Sequence, residues 1–114
     1  MEIDLEQQGD LCILRVRGRM ERAADLDYLA GKATEIRELR CTKLLGDFYD
    51  VPSIGSLGLG FVVGLYASIR KIPGGRIVLV GANQRVRHLL EITRVSTVIP
   101  LADDMDSGLS LLLR

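Results

Sequence analysis

The chain of 114 residues has no tryptophan, one histidine, two cysteines and three prolines, and it carries no net charge. Its 15 basic and 15 acidic residues cancel, which argues against an overall electrostatic attraction to nucleic acid or to a membrane surface. The longest apolar stretch, residues 57–69, is shorter than the roughly 20 residues that a membrane crossing needs. The sequence therefore predicts no nucleic-acid partner and no membrane insertion.

The N-terminus alternates polar and apolar residues and has none of the basic and apolar regions of a signal peptide. We therefore expect no export and a cytoplasmic location. The length suits one domain, 1–114, which buries roughly two thirds of its unfolded surface without metals or disulfides. Cys12 and Cys41 have no second cysteine or histidine at ligand spacing, and we interpret both as reduced thiols in the core of a cytosolic protein.

Side chains able to perform catalysis are few and are not grouped along the chain. His88 lies in a predicted helix with no acid or nucleophile beside it, so we interpret it as a surface or boundary histidine. The acidic cluster at 103–106 lacks the glycine and the closing glutamate of a calcium loop, and capping of the last helix explains it better. Gly58, Gly60 and Gly64 miss the spacing of a dinucleotide loop and indicate close helix-to-sheet packing. We predict a protein without enzymatic activity, cofactor or metal.

The periodicity of apolar residues predicts alternating strands and helices after an initial hairpin. Residues 2–7 and 10–17 alternate like two half-buried antiparallel strands, and residues 23–40 carry one apolar stripe at helical spacing. The remaining predicted elements are strands at 44–48, 76–80 and 97–100, and helices from 56, at 84–93 and at 104–113. Strands that alternate with helices imply an α/β fold in which helices cover a sheet with parallel connections.

Ser56 stands where a strand-like segment gives way to an apolar helix, within residues 54–60. Asp50, Pro52 and Gly55 supply turn chemistry before it. A serine at such a junction most often caps the helix by accepting a hydrogen bond from a free backbone amide. An exposed hydroxyl there is also a suitable phosphate acceptor, because the amides and the helix dipole tolerate negative charge. The spacing alone leaves both interpretations open.

A stripe of arginines alternates along the second predicted strand and into the loop that follows. It consists of Arg15, Arg17, Arg19 and Arg22. Such a stripe offers a basic edge to a partner, although a solvated face is the more common explanation. We take the solvated face as the first interpretation and the basic edge as the alternative.

Four segments occur in an order and spacing that is more specific than any one of them. They are the hairpin end Gly18-Arg19-Met20-Glu21, the strand with Asp47, the Ile-x-Ser-x-Gly-Leu-Gly motif at 54–60, and residues 74–81. Together they resemble the STAS domain of bacterial anti-sigma factor antagonists over nearly the whole chain. Residues 85–93 are similar to the family's third helix and residues 98–100 to its final strand. The resemblance implies a mixed sheet of four to five strands with an N-terminal antiparallel hairpin, covered by about four helices.

The resemblance also implies a function for the motif around Ser56. In the family it reads Asp-Ser-Ser/Thr-Gly-Leu-Gly, and an anti-sigma factor that is also a serine kinase phosphorylates the serine that Ser56 matches. This implies an anti-sigma factor antagonist-like domain that sequesters the anti-sigma serine kinase and is switched by phosphorylation of Ser56. The implied partner-binding residues are Gly55, Ser56, Leu57, Gly58, Met20, Glu21 and Arg22.

Further roles are compatible with the same resemblance. Gly55 replaces the family's aspartate and Leu57 its second hydroxyl residue. These departures make a non-switching scaffold, or a regulatory subunit of a stress-signalling or transporter complex, an alternative. Nucleotide binding is a second alternative, since some similar domains are suspected of it, although the chain has no phosphate-binding loop. Formation of a homodimer is left open.

Overall fold

The computed structural model describes all 114 residues, and its main elements follow the predicted order. The strands are β1 (Glu2–Gln8), β2 (Leu11–Arg17), β3 (Lys43–Asp50), β4 (Arg76–Val80) and β5 (Leu101–Ala102). The helices are α1 (Leu26–Leu39), α2 (Ser56–Arg70), α3 (Gln84–Ile92) and α4 (Met105–Leu112). Short 3₁₀ turns at Ala23–Asp25 and Val95–Thr97 precede α1 and follow α3.

The five strands form one sheet in the order β1-β2-β3-β4-β5. β1 and β2 pair antiparallel, with Glu2 opposite Arg17 and Gln8 opposite Leu11, whereas every later pair is parallel. Parallel neighbours need crossover connections, and α1, α2 and α3 provide them in turn. The predicted α/β fold, with its N-terminal hairpin, its mixed sheet and its four helices, is confirmed.

The main core lies between one face of the sheet and the three crossover helices. Because side chains of a strand alternate between faces, Cys12, Leu14 and Val16 of β2 all point to this core. The buried helical residues that meet them are Leu29, Ile36, Phe61, Val62, Leu65, Ile69, Val86 and Leu90. This packing holds α1 and α2 side by side and sets the start of α2 just beyond the carboxyl end of β3.

The opposite face of the sheet is covered by α4 over the later strands. Leu45, Val78 and Leu112 belong to the smaller core beneath this helix. A glycine permits the close approach, since a Cβ on Gly108 would lie 2.3 Å from Val80 Cγ1. The helix therefore packs directly on the sheet.

The outer face of the β1–β2 hairpin is polar and carries ion pairs between the two strands. Arg15 pairs with Glu6 at 2.8 Å, and its hydrogen bond lowers the pKa of the Glu6 carboxyl. Arg17 contacts both Glu2, at 2.6 Å, and Asp4, at 2.8 Å. The other two arginines of the stripe are exposed. The solvated-face interpretation therefore holds for the two arginines that lie on β2.

The last strand is shorter than predicted and comes later in the chain. Residues 97–100 do not form it, because the amide of Ile99 donates to the carbonyl of Val95 at 2.9 Å and is lost to strand pairing. Pro100 has no amide hydrogen, and only its carbonyl reaches β4, where it accepts from Leu79 at 3.1 Å. Strand pairing therefore begins after the proline.

Cys12 and Cys41 form a disulfide bond, so the prediction of two reduced thiols is wrong. Cys12 lies in β2 and Cys41 just before β3, and their Cα atoms are 5.9 Å apart. Because β2 and β3 are parallel neighbours, Cys12 pairs with Leu44 at the start of β3. The crossover through α1 thus brings together two cysteines that the sequence keeps 29 positions apart.

The disulfide closes a loop that contains all of α1, across a sequence separation of 29. A cross-link over such a loop stabilises the fold mainly by limiting the conformational freedom of the unfolded chain, by about 3.6 kcal/mol. We expect reduction to lower the free energy of unfolding in urea by that amount. Reductant should not change the free energy of unfolding of the double variant Cys12→Ala/Cys41→Ala. Two titratable thiols in the unreduced, denatured protein would contradict the bond.

Candidate functional site

The segment between β3 and α2 is tied to the chain after β2 by backbone hydrogen bonds. The carbonyl of Met20 accepts from the amide of Gly55 at 3.2 Å and from the amide of Gly58 at 3.0 Å. The amide of Met20 donates to the carbonyl of Ser53 at 3.3 Å, and Met20 pairs with Ile54 as an isolated parallel bridge. These contacts determine where α2 starts relative to the sheet.

Gly58 permits close contact between the first turn of α2 and Met20. A Cβ on this glycine would lie 2.7 Å from Met20 Cβ, 2.8 Å from the Met20 carbonyl oxygen and 3.0 Å from Ile54 Cβ. By contrast, a Cβ on Gly60 or Gly64 would meet nothing within 4 Å. The predicted close packing is therefore right for Gly58 and wrong for the other two glycines.

Ser56 is the first residue of α2, and its side chain is exposed. The N-cap is Gly55, in an extended conformation with φ of −106°, so the interpretation of Ser56 as the N-cap is wrong. The amide of Gly58 donates to the carbonyl of Met20. The amides of Ser56 and Leu57, also in the first turn, have no backbone acceptor. These amides and the helix dipole place a partial positive charge beside an exposed hydroxyl.

The residues that the resemblance implies for partner binding differ in their exposure. Met20 and Gly58 are buried, so they act by positioning the loop and the helix rather than by touching a partner. The members that are exposed or half-buried are Ser56, Glu21, Arg22, Gly55 and Leu57. The accessible part of the site is therefore a small patch at the junction of the β2 end and the α2 start.

Glu21 brings a carboxylate-bearing side chain against the residue that precedes Ser56. A Cβ on Gly55 would lie 3.4 Å from Glu21 Cγ, at the near edge of ordinary van der Waals contact. The φ of Gly55 is negative, so the backbone accepts a residue with a side chain. A glycine at this position is therefore not required by the geometry of the loop.

A groove of about 300 Å³ runs between α1 and α2 and opens beside Ser56. We call it the α1–α2 groove, and its lining includes Leu26, Leu29, Ala30, Ala33, Leu57, Gly60, Phe61 and Gly64. Leu26 is 55% exposed at its rim. This groove was not predicted from the sequence. The four-residue spacing of Gly60 and Gly64, which puts both on one face of a helix, is the signal that would have indicated it.

The other candidates from the sequence lie away from this site. His88 is exposed on α3. Asp104 caps α4 by accepting from the amide of Ser107 at 2.8 Å, which lowers the pKa of the Asp104 carboxyl and confirms the predicted capping. Asp103 instead accepts from Arg87 at 3.3 Å. The structure contains no group of three or more potential metal-ligand side chains. None of its helices has the length and apolar character to cross a membrane.

Sequence comparison identifies the family of the chain. A family model of the STAS domain matches residues 2–108, and the chain belongs to the STAS domain family. The TM1081 homolog of Thermotoga neapolitana is 34% identical over 67 residues, which are 59% of this chain and 58% of that relative. This match thus spans less than two thirds of the relative's length. The anti-sigma F factor antagonist of Paenibacillus polymyxa is 22% identical over 111 residues, 96% of this chain and 93% of the relative.

Solved structures share the fold. TM1081 of Thermotoga maritima superposes with a TM-score of 0.86 at 22% identity, over 98% of this chain and 95% of that one. The anti-sigma factor antagonist SpoIIAA in its unphosphorylated form has a TM-score of 0.73 at 20% identity, over 90% of each chain. The phosphorylated form of Bacillus SpoIIAA also scores 0.73, at 16% identity, over 99% of this chain and all of the other.

Two glycines in the first turns of α2 provide a matched test of how the site is held. Gly58→Ala should destabilise the protein by about 1–3 kcal/mol, because the new methyl group overlaps Met20. Gly60→Ala adds the same group in open space and should stabilise the helix by up to about 1 kcal/mol. Urea unfolding of both variants measures the difference. Equal stability of the two would show that Gly58 does not set the position of the helix.

Proposed function

We propose that this protein is an anti-sigma factor antagonist, a regulatory domain that acts by binding an anti-sigma factor with serine kinase activity. The observation that carries the proposal is the exposed Ser56 at the first position of α2, which matches the phosphorylated serine of the family motif. Membership of the STAS family and the similarity to the Paenibacillus antagonist support this role. Binding alone performs the regulation, so we assign no enzymatic activity.

The partner surface that we propose combines Ser56 with the α1–α2 groove. The groove is lined mainly by apolar side chains and begins beside the serine. A partner segment that covers it gains roughly 25 cal/mol for each Å² of apolar surface buried. Glu21 and Arg22 are exposed on the chain that packs beside Gly55 and supply polar contacts at the rim. The hydroxyl of Ser56 then lies at the edge of the contact, where a change in its charge acts directly on the partner.

Phosphorylation of Ser56 would act on the interface and leave the fold intact. A phosphate adds about −1.5 to −2 charges. The amides of Ser56 and Leu57 and the dipole of α2 stabilise that charge locally. One unit charge about 5 Å from an acidic partner group, at an effective dielectric near 20, costs about 3 kcal/mol, or about a hundredfold in affinity. The unphosphorylated protein therefore holds the kinase and frees the sigma factor, and the phosphorylated protein releases the kinase.

We place this function in the cytoplasm, where a sigma factor and its regulators act. Disulfides are rare there because cellular reductants keep thiols reduced. Cys12 and Cys41 are 0% and 4% exposed, and reduction by exchange requires access to a sulfur atom. Burial of the two cysteines thus limits the access of reductants to the bond.

Substitution of Ser56 by aspartate mimics the charge of the phosphate. Ser56→Asp should weaken binding of the anti-sigma kinase by about ten- to a hundredfold, since aspartate carries about half the charge of a phosphate. The melting temperature should change little, because negative charge is tolerated at the first turn of a helix. Wild type and variant serve as paired baits in a bacterial lysate, and calorimetry then gives the affinity of each for the retained kinase.

Two controls separate the switch from other effects of charge or shape. Ser56→Ala should keep the affinity of the wild type, and so should Ser110→Asp, which adds the same charge on the exposed side of α4. Equal binding of Ser56→Asp and wild type to a retained kinase would refute the phosphorylation switch.

A non-switching scaffold is the second candidate function, favoured by the replacement of two motif residues. Gly55 and Leu57 stand where the family has an aspartate and a second hydroxyl residue. Retention of the same transporter or stress-signalling component by both baits, with no kinase, would select this function. Calorimetry with ATP and GTP tests the nucleotide-binding alternative in the same samples.

Restoring the family's aspartate tests whether the acid beside the acceptor serine matters. In Gly55→Asp a carboxylate can accept a hydrogen bond from the Ser56 hydroxyl and orient it for transfer. We expect faster phosphorylation of this variant by the retained kinase, measured as incorporation of radioactive phosphate from ATP. Gly55→Asn is the matched control of similar size without the charge. A rate that neither variant changes would show that the kinase does not require the acid.

A further inference from the structure

A second depression lies at the opposite end of α1 and α2 from Ser56, and we call it the basic cleft. It encloses about 420 Å³ between the carboxyl ends of the two helices and the start of β3. Its apolar lining includes Ile36, Cys41, Leu44, Leu65, Ile69 and Ile72. We propose that the basic cleft binds a small amphiphilic anion, an alkyl chain of medium length that ends in a carboxylate.

The charged side chains at the cleft are all cationic. Arg37, Arg40 and Lys71 line it, and no aspartate or glutamate does. Because the chain as a whole has no net charge, these cations are a local concentration and not part of a general excess. The carboxyl ends of α1 and α2 contribute about −0.5 charge each. The three cationic side chains therefore leave about two positive charges that the helix dipoles do not neutralise. That surplus is available to an anion.

Arg40 holds a backbone conformation that favours glycine. It is the C-cap of α1, with φ of 54° and ψ of 32°. A residue with a Cβ is strained in this left-handed region, and helices usually place glycine there. Strain of this kind concentrates at sites where the side chain has a function. Of the two non-glycine residues with a positive φ, Arg40 and Arg94, only Arg40 lines the basic cleft, so the strained position coincides with the cleft.

The size and the lining of the basic cleft select the class of ligand. A volume of 420 Å³ lies within the range of about 300–1,000 Å³ that is usual for small-molecule sites. The apolar lining favours an alkyl chain, and the cationic lining residues favour a terminal carboxylate through charge-assisted hydrogen bonds. A neutral alcohol of the same chain length contacts the apolar lining but gives the cationic side chains no anionic partner. This inference does not depend on the anti-sigma role.

Titration of the ¹⁵N-labelled protein with decanoate, below the concentration at which it forms micelles, tests the site. We expect saturable amide shifts centred on Cys41, Ser68 and Ile72, and binding at least about tenfold weaker for decanol. Arg40→Gly removes the charge and relieves the backbone strain, so the variant should fold and should bind decanoate about tenfold more weakly.

Arg94 offers a matched control for this substitution. It also has a positive φ, of 65°, but it does not line the basic cleft. Arg94→Gly therefore makes the same chemical and backbone change elsewhere and should bind decanoate like the wild type. Three outcomes would overturn the proposal. They are equal affinity for decanol and decanoate, an equal loss of decanoate affinity in Arg40→Gly and Arg94→Gly, and the absence of saturable amide shifts.

A membrane could also present alkyl chains with anionic groups, and a separate arm distinguishes that source. Vesicles of phosphatidylcholine with phosphatidylglycerol should not retain the protein in a flotation assay if the ligand is a free carboxylate. Retention that Arg40→Gly abolishes, together with no binding of dispersed decanoate, would overturn the soluble ligand and assign the cleft to a lipid surface.

Discussion

The position of the site depends on one backbone carbonyl. Met20 O accepts from two amides of the segment that starts α2, and Gly58 leaves room for the approach. A shift at this junction would move the start of the helix relative to the sheet, and with it Ser56 and the opening of the α1–α2 groove. The accessible surface is thus positioned by residues that are themselves buried. This explains why a glycine is needed at position 58, whereas the glycine at position 55 is not required by the backbone.

The two ends of α2 present opposite surroundings within one rigid element. Its 15 residues span roughly 22 Å. At the first turn, free amides and an exposed hydroxyl favour added negative charge. Past the last turn, Lys71 lines the apolar basic cleft together with Arg37 of α1 and Arg40, the C-cap of α1. The whole chain has a net charge of zero, but the surroundings of each end of α2 are not neutral. The cations that line the cleft are balanced by acids elsewhere on the surface.

Sequence reasoning succeeded for most elements whose cause was local. Apolar periodicity located the strands and helices, and the aspartate cap of α4 follows from residues within one turn of each other. It failed where another hydrogen bond competed with the predicted one, whether that bond came from a distant residue or from a local turn. Ser56 looks like a cap, but the loop held by Met20 makes Gly55 the N-cap and leaves the hydroxyl exposed. The final strand was placed too early because the 3₁₀ turn after α3 uses amides that a strand would have offered to β4.

By itself, the sequence determined the order of elements, the alternation that buries one face of each strand, and the motif that carries the family resemblance. These depend on spacing within a few residues, which the chain carries in any conformation. Only the tertiary structure decided the Cys12–Cys41 bond, the α1–α2 groove and the basic cleft. Each of these joins residues from separate elements. Such residues come into contact only after a parallel crossover returns the chain to the sheet, and no local pattern records which of them will meet.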